Sequence, residues 1–160
     1  MSRRFFSAVL SLFVFVVFAP ALMAKSATPK KNTRAAVKAY VERAGDLVAH
    51  KGPVCDTLKD KSWMSGDWYV FVDGSDGRLL CHPDPKMVGR SNTDIVDANG
   101  KHVGDMINAA ANSPAGNGWV EYVWPRPGQT KPVSKSTYVK SVTGPDGKKY
   151  IVGAGGYELK

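Results

Sequence analysis

Cysteine and histidine are scarce in this 160-residue chain, and the common catalytic motifs are absent from it. The two cysteines form neither a Cys-x-x-Cys redox motif nor zinc-ligand spacing, and His50, His82 and His102 lie on different segments. No Gly-x-Ser-x-Gly elbow, His-Glu-x-x-His helix or Gly-x-x-x-x-Gly-Lys phosphate loop occurs. These absences favour a protein that is not an enzyme and that uses no cofactor.

The acidic residues do not make up a metal site either. Asp73 with Asp76, and Asp94 with Asp97 and Asn99, weakly resemble calcium loops, but neither group has the full spacing of such a loop. Turns account for both groups, because Asp and Asn side chains hydrogen-bond to nearby backbone. The sequence therefore predicts no bound metal.

Long runs of like charge are missing as well. The formal net charge is +8, and removing residues 1–24 deletes two arginines and no acids, which leaves +6. No run of five or six basic residues occurs, so the positive balance favours a solvated surface that attracts anions over a nucleic-acid groove. Nucleic acid is not an expected partner.

The first residues predict export. A basic start, an uncharged apolar run over residues 5–18 and small residues before Lys25 have the form of a secretory signal. Cleavage is expected after Ala24, with Ala21 as the other option. A retained membrane anchor is the alternative, because the apolar run to Met23 is almost long enough to span a bilayer. The predicted organisation is a signal peptide over residues 1–24, a linker over 25–32 and one periplasmic domain over 33–160.

The two cysteines, Cys55 and Cys81, both remain in the exported chain. In an oxidising compartment such a pair favours a disulfide, which would close a loop of about 26 residues and contribute about 3 kcal/mol. Two separate buried thiols are the alternative, because Cys55 follows a helix and Cys81 lies within a strand.

One long helix is predicted at the start of the domain. Apolar residues recur there at spacings of three and four: Val37, Tyr40, Val41, Ala44, Leu47 and Val48. This spacing predicts an amphipathic helix over about residues 33–50. Asn32 or Thr33 can cap its start, and Gly52 with Pro53 ends it. A short second helical piece is expected within residues 54–61.

Strands are expected after these helices. They cover residues 68–72, 78–81, 118–124, 137–142 and 150–155, with Asp-Gly or Pro-Gly turns that imply antiparallel pairing. Val103, Met106, Ile107 and Ala110 have helical spacing between the second and third strands. The predicted fold is α+β, with helices on one side of a central antiparallel sheet of about five strands.

A succession of short blocks along the chain resembles a known family. The blocks are Tyr69-Val70-Phe71-Val72, Asp76-Gly77, His82-Pro83, Val88-Gly89, Asp97-Ala98-Asn99-Gly100, Gly118-Trp119-Val120, Tyr122, Trp124-Pro125, Lys135-Ser136-Thr137-Tyr138-Val139 and Ile151-Val152-Gly153. In this order they resemble a single Cache domain over about residues 33–157. The resemblance implies a PAS-like Cache fold with a long N-terminal helix, a helical crossover, and a pocket between the sheet and its cover.

The resemblance also implies extracytoplasmic sensing. Such domains usually lie outside the membrane in chemoreceptors and sensor kinases, where they bind small organic acids, amino acids or related metabolites. Only three residues follow Tyr157, so the chain resembles a free-standing, secreted Cache protein. Family members often dimerise through the N-terminal helix, which here implies a surface of Tyr40, Arg43 and Leu47, although packing of the helix on the sheet explains its apolar stripe equally well. A membrane-bound sensor is the other expected partner.

The family pattern, carried onto this chain, places seven residues at the pocket: Tyr69, Phe71, His82, Tyr122, Trp124, Lys135 and Tyr138. A small carboxylate needs hydrogen-bond donors and a positive charge in a mostly apolar cleft. The aromatic rings are expected as walls, His82 as an inward ring nitrogen, and Lys135 and Tyr138 as the cation and the hydroxyl donor. Lys135 and Tyr138 are three residues apart, so one of them is expected in a turn or bulge.

Each expected pocket residue has a structural alternative. Tyr69, Phe71 and Trp124 could be plain core. His82 could bond a neighbouring carbonyl, and Lys135 could be a solvated charge. If His82 faces a carboxylate, its ordinary pKa of about 6.5 predicts that affinity falls as pH rises from about 5.5 to 8.

The expected function is binding of a small organic metabolite, for which a short carboxylate is the first candidate, with a role in signal sensing. The alternative is an interaction protein with a vestigial pocket, which dimerises or docks onto a membrane-bound partner. The residues leave the ligand open, because aromatic walls also suit an amino acid, an amide or a compact heterocycle.

Overall fold

The computed structural model describes residues 27–159, which form three α-helices and five β-strands. In chain order they are α1 (Arg34–Lys51), α2 (Cys55–Lys59), β1 (Phe71–Asp73), β2 (Leu79–Cys81), α3 (Val103–Ala111), β3 (Asn117–Pro125), β4 (Pro132–Thr143) and β5 (Lys149–Tyr157). A short 3-10 turn at Asn92–Asp94 precedes α3. The expected signal peptide lies outside the described residues, and no helix within them is long and apolar enough to cross a membrane.

Helix α1 begins and ends at the expected capping residues. Thr33 Oγ1 accepts a hydrogen bond from the N–H of Ala36 at 3.3 Å, which satisfies one of the N–H groups that a first turn leaves unpaired. At the other end, the N–H of Gly52 donates to the Val48 carbonyl at 2.8 Å. Gly52 has a φ of 78°, which glycine adopts without strain. The predicted long N-terminal helix is confirmed.

The five strands form one antiparallel sheet in the order β2-β1-β5-β4-β3. The three long strands β3, β4 and β5 pair without a register shift and make a regular platform. The short strands β1 and β2 form one edge of the sheet. This arrangement confirms the predicted α+β fold with a central sheet of five antiparallel strands.

The helices lie on both faces of the sheet, so the prediction that they lie on one side is wrong. Helix α1 packs against β4 and β5, and α3 packs against β3 and β4. Adjacent residues of β4 show that these are opposite faces, because Tyr138 belongs to the core around α1 and Val139 to the core around α3. Since both faces of β4 are apolar, each of them needs a cover.

The outer part of α1 is engaged within the domain. Tyr40 is buried against Trp63, with ring centroids 5.9 Å apart, and the Arg43 guanidinium donates to the carbonyl of Ala27. All three residues of the expected dimer surface, Tyr40, Arg43 and Leu47, therefore make contacts inside the protomer, since Leu47 packs partly buried against the core. A homodimer through α1 stays a prediction, and Tyr40 is not available to it.

Cys55 of α2 and Cys81 of β2 form a disulfide, with their Cα atoms 5.1 Å apart. The pairing confirms the interpretation of the two cysteines as a structural link and excludes the alternative of two free thiols. It ties α2 to the edge of the sheet, directly before the segment that carries His82.

The disulfide joins residues 26 positions apart, for which loop-closure entropy gives about 3 kcal/mol of stabilisation. Replacing both cysteines with alanine is expected to lower the free energy of unfolding by about that amount, as measured by urea denaturation. Wild-type protein with the disulfide reduced is the control and should lose a similar amount. An unfolding free energy that stays the same in both samples would contradict the stabilising role.

Candidate functional site

Two glycines in β5 leave room for large side chains on the face of the sheet that α3 covers. A Cβ atom at Gly155 would lie 2.6 Å from Lys135 Cε, and one at Gly153 would lie 2.7 Å from Phe71 Cε1. Both distances are too short for real contacts, so Lys135 and Phe71 could not lie where they do beside alanine. The glycines therefore set the floor of the site.

Lys135 lies on this floor and is only 1% exposed. Its Nζ donates a hydrogen bond to Tyr69 Oη at 2.6 Å. The same Nζ lies 4.2, 5.1 and 5.9 Å from the ring centroids of Tyr69, Tyr157 and Tyr122, and aromatic faces attract a cation. Within residues 27–159, no carboxylate lies within ion-pair distance of Lys135.

The ammonium of Lys135 is electrostatically uncompensated. Burial lowers the pKa of Lys135 from its ordinary value of 10.5 to about 7, because desolvation penalises the charged form, and the more distant charge of Asp67 offsets this only in part. A buried cation without a paired anion is costly to a folded protein. Such a group in a pocket is a typical mark of a binding site for an anion.

His82 follows β2 directly and lies beside Tyr69, with the two rings edge to face and their centroids 5.1 Å apart. Its Nδ1 lies 3.0 Å from the N of Asp84, which donates to it, and 3.4 Å from the Asp84 carbonyl oxygen, so the shorter contact favours the tautomer with the ring proton on Nε2. Burial, and then the charge of Lys135, lower the pKa of His82 from 6.5 to about 4. The expectation that His82 becomes a cation in mild acid is therefore wrong, and the ring is a neutral donor.

Two spaces adjoin these residues. A small cavity of about 30 Å³ lies between the sheet and α3, and a larger cleft of about 820 Å³ adjoins it. Four residues line both spaces and form the wall between them: Tyr69, His82, Met87 and Trp124. Lys135 contributes no surface to either space, because its ammonium lies behind the ring of Tyr69.

Six of the seven expected pocket residues are brought together here. Tyr69, Phe71, His82, Tyr122 and Trp124 line the small cavity, and Lys135 lies behind Tyr69. Trp124 packs edge to face on Tyr122, with centroids 5.9 Å apart, and Tyr122 Oη shares a hydrogen bond of 2.8 Å with Thr137 Oγ1. Their contact with a ligand stays a prediction.

Tyr138 lies on the other face of the sheet, so its placement in the pocket is wrong. Its ring lies 5.3 Å from that of Trp119 and 5.6 Å from the ammonium of Lys38 on α1. Strand β4 is regular through both Lys135 and Tyr138, without the expected turn or bulge. Residues three apart in a regular strand point to opposite faces.

Arg126 ties the loop at the mouth of the cleft to the end of β5. Its guanidinium pairs with Asp67, pairs with Glu158 at 2.6 Å, and lies 4.9 Å from the ring centroid of Tyr157. Tyr157 Oη donates to the Pro125 carbonyl at 2.7 Å. The Tyr157 ring, which faces Lys135, is therefore held in place by Pro125 and Arg126 at the end of β3.

The sequence did not place Tyr157 or Asp73 at the site, nor the apolar residues that line the cavity: Leu79, Met87, Ile95, Val103 and Ile107. Tyr157 shares one face of β5 with Gly153 and Gly155, and Asp73 shares one face of β1 with Phe71. The two-residue alternation of side chains along a strand, which linked Tyr122 to Trp124, could also have placed Tyr157 and Asp73 on the pocket face.

The sheet thus carries a long helix on one face and a pocket with buried polar side chains on the other. The sequence matches the profile of the Cache domain family over residues 34–159. The chain therefore belongs to the Cache domain family, whose members are sensor domains outside the cytoplasm.

A curated relative is the methyl-accepting chemotaxis protein McpP of Pseudomonas putida, which is 32% identical over 93 residues. The match covers 57% of this chain and 16% of McpP, so the chain spans less than a fifth of that receptor.

Several solved structures share the fold. A Cache chemosensory domain described for carboxylic acid recognition is 28% identical with a TM-score of 0.54, over 78% of this chain and 72% of that chain. The periplasmic sensor domain of a chemotaxis protein is also 28% identical, with a TM-score of 0.56, over 78% and 89%. A methyl-accepting chemotaxis protein of Vibrio parahaemolyticus, 22% identical with a TM-score of 0.57 over 76% and 85%, supports the fold alone.

The buried ammonium should lower stability in a pH-dependent way. Lys135→Met is expected to raise the free energy of unfolding by about 1–4 kcal/mol at pH 6, because it removes an unpaired charge at similar volume. The pKa of Lys135 is about 7 when folded against an ordinary 10.5, so the unfolded chain binds more protons between these values and wild-type stability rises with pH there. The gain from Lys135→Met should therefore shrink from pH 7 toward pH 10 in urea titrations.

The matched control is Lys149→Met, at an exposed position of β5. It should leave the pH dependence of stability as it is in the wild type. A Lys135→Met protein that is less stable than wild type at both ends of the pH range would show that the ammonium is not an unpaired buried charge.

Proposed function

We propose that this protein is an exported Cache sensor domain that binds a short carboxylate between the sheet and α3. In this proposal residues 1–24 are a cleaved signal peptide, and the domain acts in the periplasm without catalytic activity. The ligand carboxylate lies against Tyr69 Oη and the His82 ring, and the ammonium of Lys135 lies behind them.

The observation that carries the proposal is the unpaired ammonium of Lys135. Tyr69 Oη accepts a hydrogen bond from this ammonium, and its own O–H can donate to a ligand oxygen. A carboxylate would be a charged, and therefore stronger, acceptor for this O–H than a neutral group. It would also supply the negative charge that the pocket does not provide.

The His82 ring supplies the second donor. Since Nδ1 accepts from Asp84, the proton on Nε2 can be donated to a ligand oxygen. With a pKa of about 4, the ring stays neutral across the physiological range. Its Nε2 proton therefore remains available as a hydrogen-bond donor. Two donors and one cation are sufficient for both oxygens of a carboxylate.

The size and polarity of the small cavity favour a short ligand. Its volume of about 30 Å³ is small beside that of the adjoining cleft. Its walls include Phe71, Leu79, Ile95 and Ile107, so the part of the ligand that enters it is a small apolar chain. The outer cleft gives access past Met87 and Trp124.

The relatives support the class of ligand and the sensing role. One structure that is 28% identical concerns carboxylic acid recognition by a Cache chemosensory domain, and McpP is a chemotaxis protein. This chain spans a small part of McpP, so the partner that reads the bound state is also a matter of proposal.

Carboxylate binding should weaken above neutral pH because of Lys135. Only the protonated amine offsets the carboxylate charge, and the pKa of Lys135 is about 7. The dissociation constant for propanoate is expected to rise about tenfold or more between pH 6.5 and pH 8.5. Isothermal titration calorimetry at both pH values measures this, and Lys135→Met should remove both the binding and its pH dependence.

The test of function is a thermal-shift screen of the purified protein, stripped of carried-over ligand, with short carboxylates and their amides. Propanoate should raise the melting temperature and propanamide, which has the same shape without the charge, should not. Tyr69→Phe, which removes one hydroxyl, should reduce the shift, and Lys149→Met should leave it unchanged. No shift with any carboxylate would remove the proposal and favour a docking protein with a vestigial pocket.

A further inference from the structure

A second polar group lies at the end of the small cavity that is away from the cleft. Asp73 shares one face of the β1 segment with Tyr69 and Phe71, and its side chain is part of the cavity wall. Asp73 is only 1% exposed. The other residues at this end, including Leu79, Ile95, Val103 and Ile107, are apolar.

The hydrogen bonding of Asp73 is incomplete. Its Oδ2 accepts from Asn92 Nδ2 at 3.2 Å. Its Oδ1 has no hydrogen-bond partner among residues 27–159, and neither does the Oδ1 of Asn92, which is also buried. A buried acceptor that is left unpaired costs free energy, so two neighbouring ones need an explanation.

We infer that Asp73 receives a hydrogen-bond donor carried by the end of the ligand opposite its carboxylate. The inference rests on the proposed function, because it places the carboxylate at Tyr69 and His82. The ligand class is then a short carboxylic acid with a terminal hydroxyl or ammonium group, and the donor satisfies Asp73 Oδ1.

The dimensions favour a terminal group over one next to the carboxylate. Tyr69 and Asp73 are four residues apart, so their Cα atoms are separated by at most about 14 Å. Phe71 lies between them on the same face of β1. A donor on the carbon next to the carboxylate would stay beside Tyr69 and His82, whereas a terminal donor follows the apolar walls to Asp73.

The electrostatics of Asp73 agree with an acceptor that lacks a full set of donors in the free protein. Burial raises the pKa of Asp73 from 3.8 to about 7, and the hydrogen bond from Asn92 lowers it only in part. The carboxyl thus moves toward its neutral form in the absence of a donor. A ligand ammonium would favour the ionised form, and a ligand hydroxyl needs only an acceptor.

The experiment compares matched acids that differ only at the far end: butanoate, 4-hydroxybutanoate and 4-aminobutanoate. Calorimetric dissociation constants are measured for wild type, Asp73→Val, Asp73→Asn and the exposed control Asp94→Asn. Wild type and Asp94→Asn should bind at least one donor-bearing acid about tenfold or more tightly than butanoate. Asp73→Val should lose that preference while its affinity for butanoate changes little.

The Asp73→Asn variant separates the two donors. Asparagine keeps an acceptor oxygen and loses the charge, so a preference for the hydroxy acid should survive in it and a preference for the amino acid should not. Carboxyl ¹³C NMR of wild type gives a measurement that does not depend on a variant folding. The Asp73 signal should shift with the donor-bearing acid and stay in place with butanoate.

Equal affinity of wild type for all three acids, an unmoved Asp73 signal, or a donor preference that persists in Asp73→Val would overturn the inference. If butanoate still binds in these cases, the proposed function stands without the inference about Asp73. If no acid of the series binds, and propanoate does not bind either, the proposed function and the inference both fail.

Discussion

The hydrogen bond between the buried ammonium of Lys135 and Tyr69 Oη, 2.6 Å long, is the contact on which the site depends. It holds the Tyr69 ring in the wall of the cavity and places a positive charge behind it. The Lys135 stem can reach this position only because Gly155 has no Cβ. The same charge contributes to the low pKa of His82 and keeps that ring a neutral donor.

The pocket contains two polar groups that the protein does not satisfy by itself. Lys135 has no paired anion among the described residues, and Asp73 has an unpaired carboxyl oxygen at the other end of the apolar cavity. Each lowers the stability of the fold. The α1 core on the opposite face and the disulfide between Cys55 and Cys81 supply stability that does not depend on the pocket. The fold can therefore contain unsatisfied polar groups on one face of the sheet, because the core on the other face and the disulfide stabilise the domain.

Much of the fold could be predicted from periodicity and capping, and less of the site. Thr33 and Gly52 marked the ends of α1. A strand with apolar residues on both faces, however, does not show which face of the sheet each helix covers. Strand β4 begins at Pro132, before the predicted start at residue 137, and this extension brings Lys135 into the sheet, on the face opposite to that of Tyr138. The low pKa of His82 follows from burial, which depends on long-range packing.

The most direct test of the account is NMR titration of the Lys135 side-chain amine, followed through its Cε and Nζ signals, with and without propanoate. Lys135 is expected to have a pKa near 7 in the free protein, in place of the ordinary 10.5, and a higher pKa when propanoate binds. A pKa near 10.5 that propanoate leaves unchanged would mean that Lys135 is not a buried ammonium without a paired anion, and carboxylate binding at this pocket would lose its physical basis.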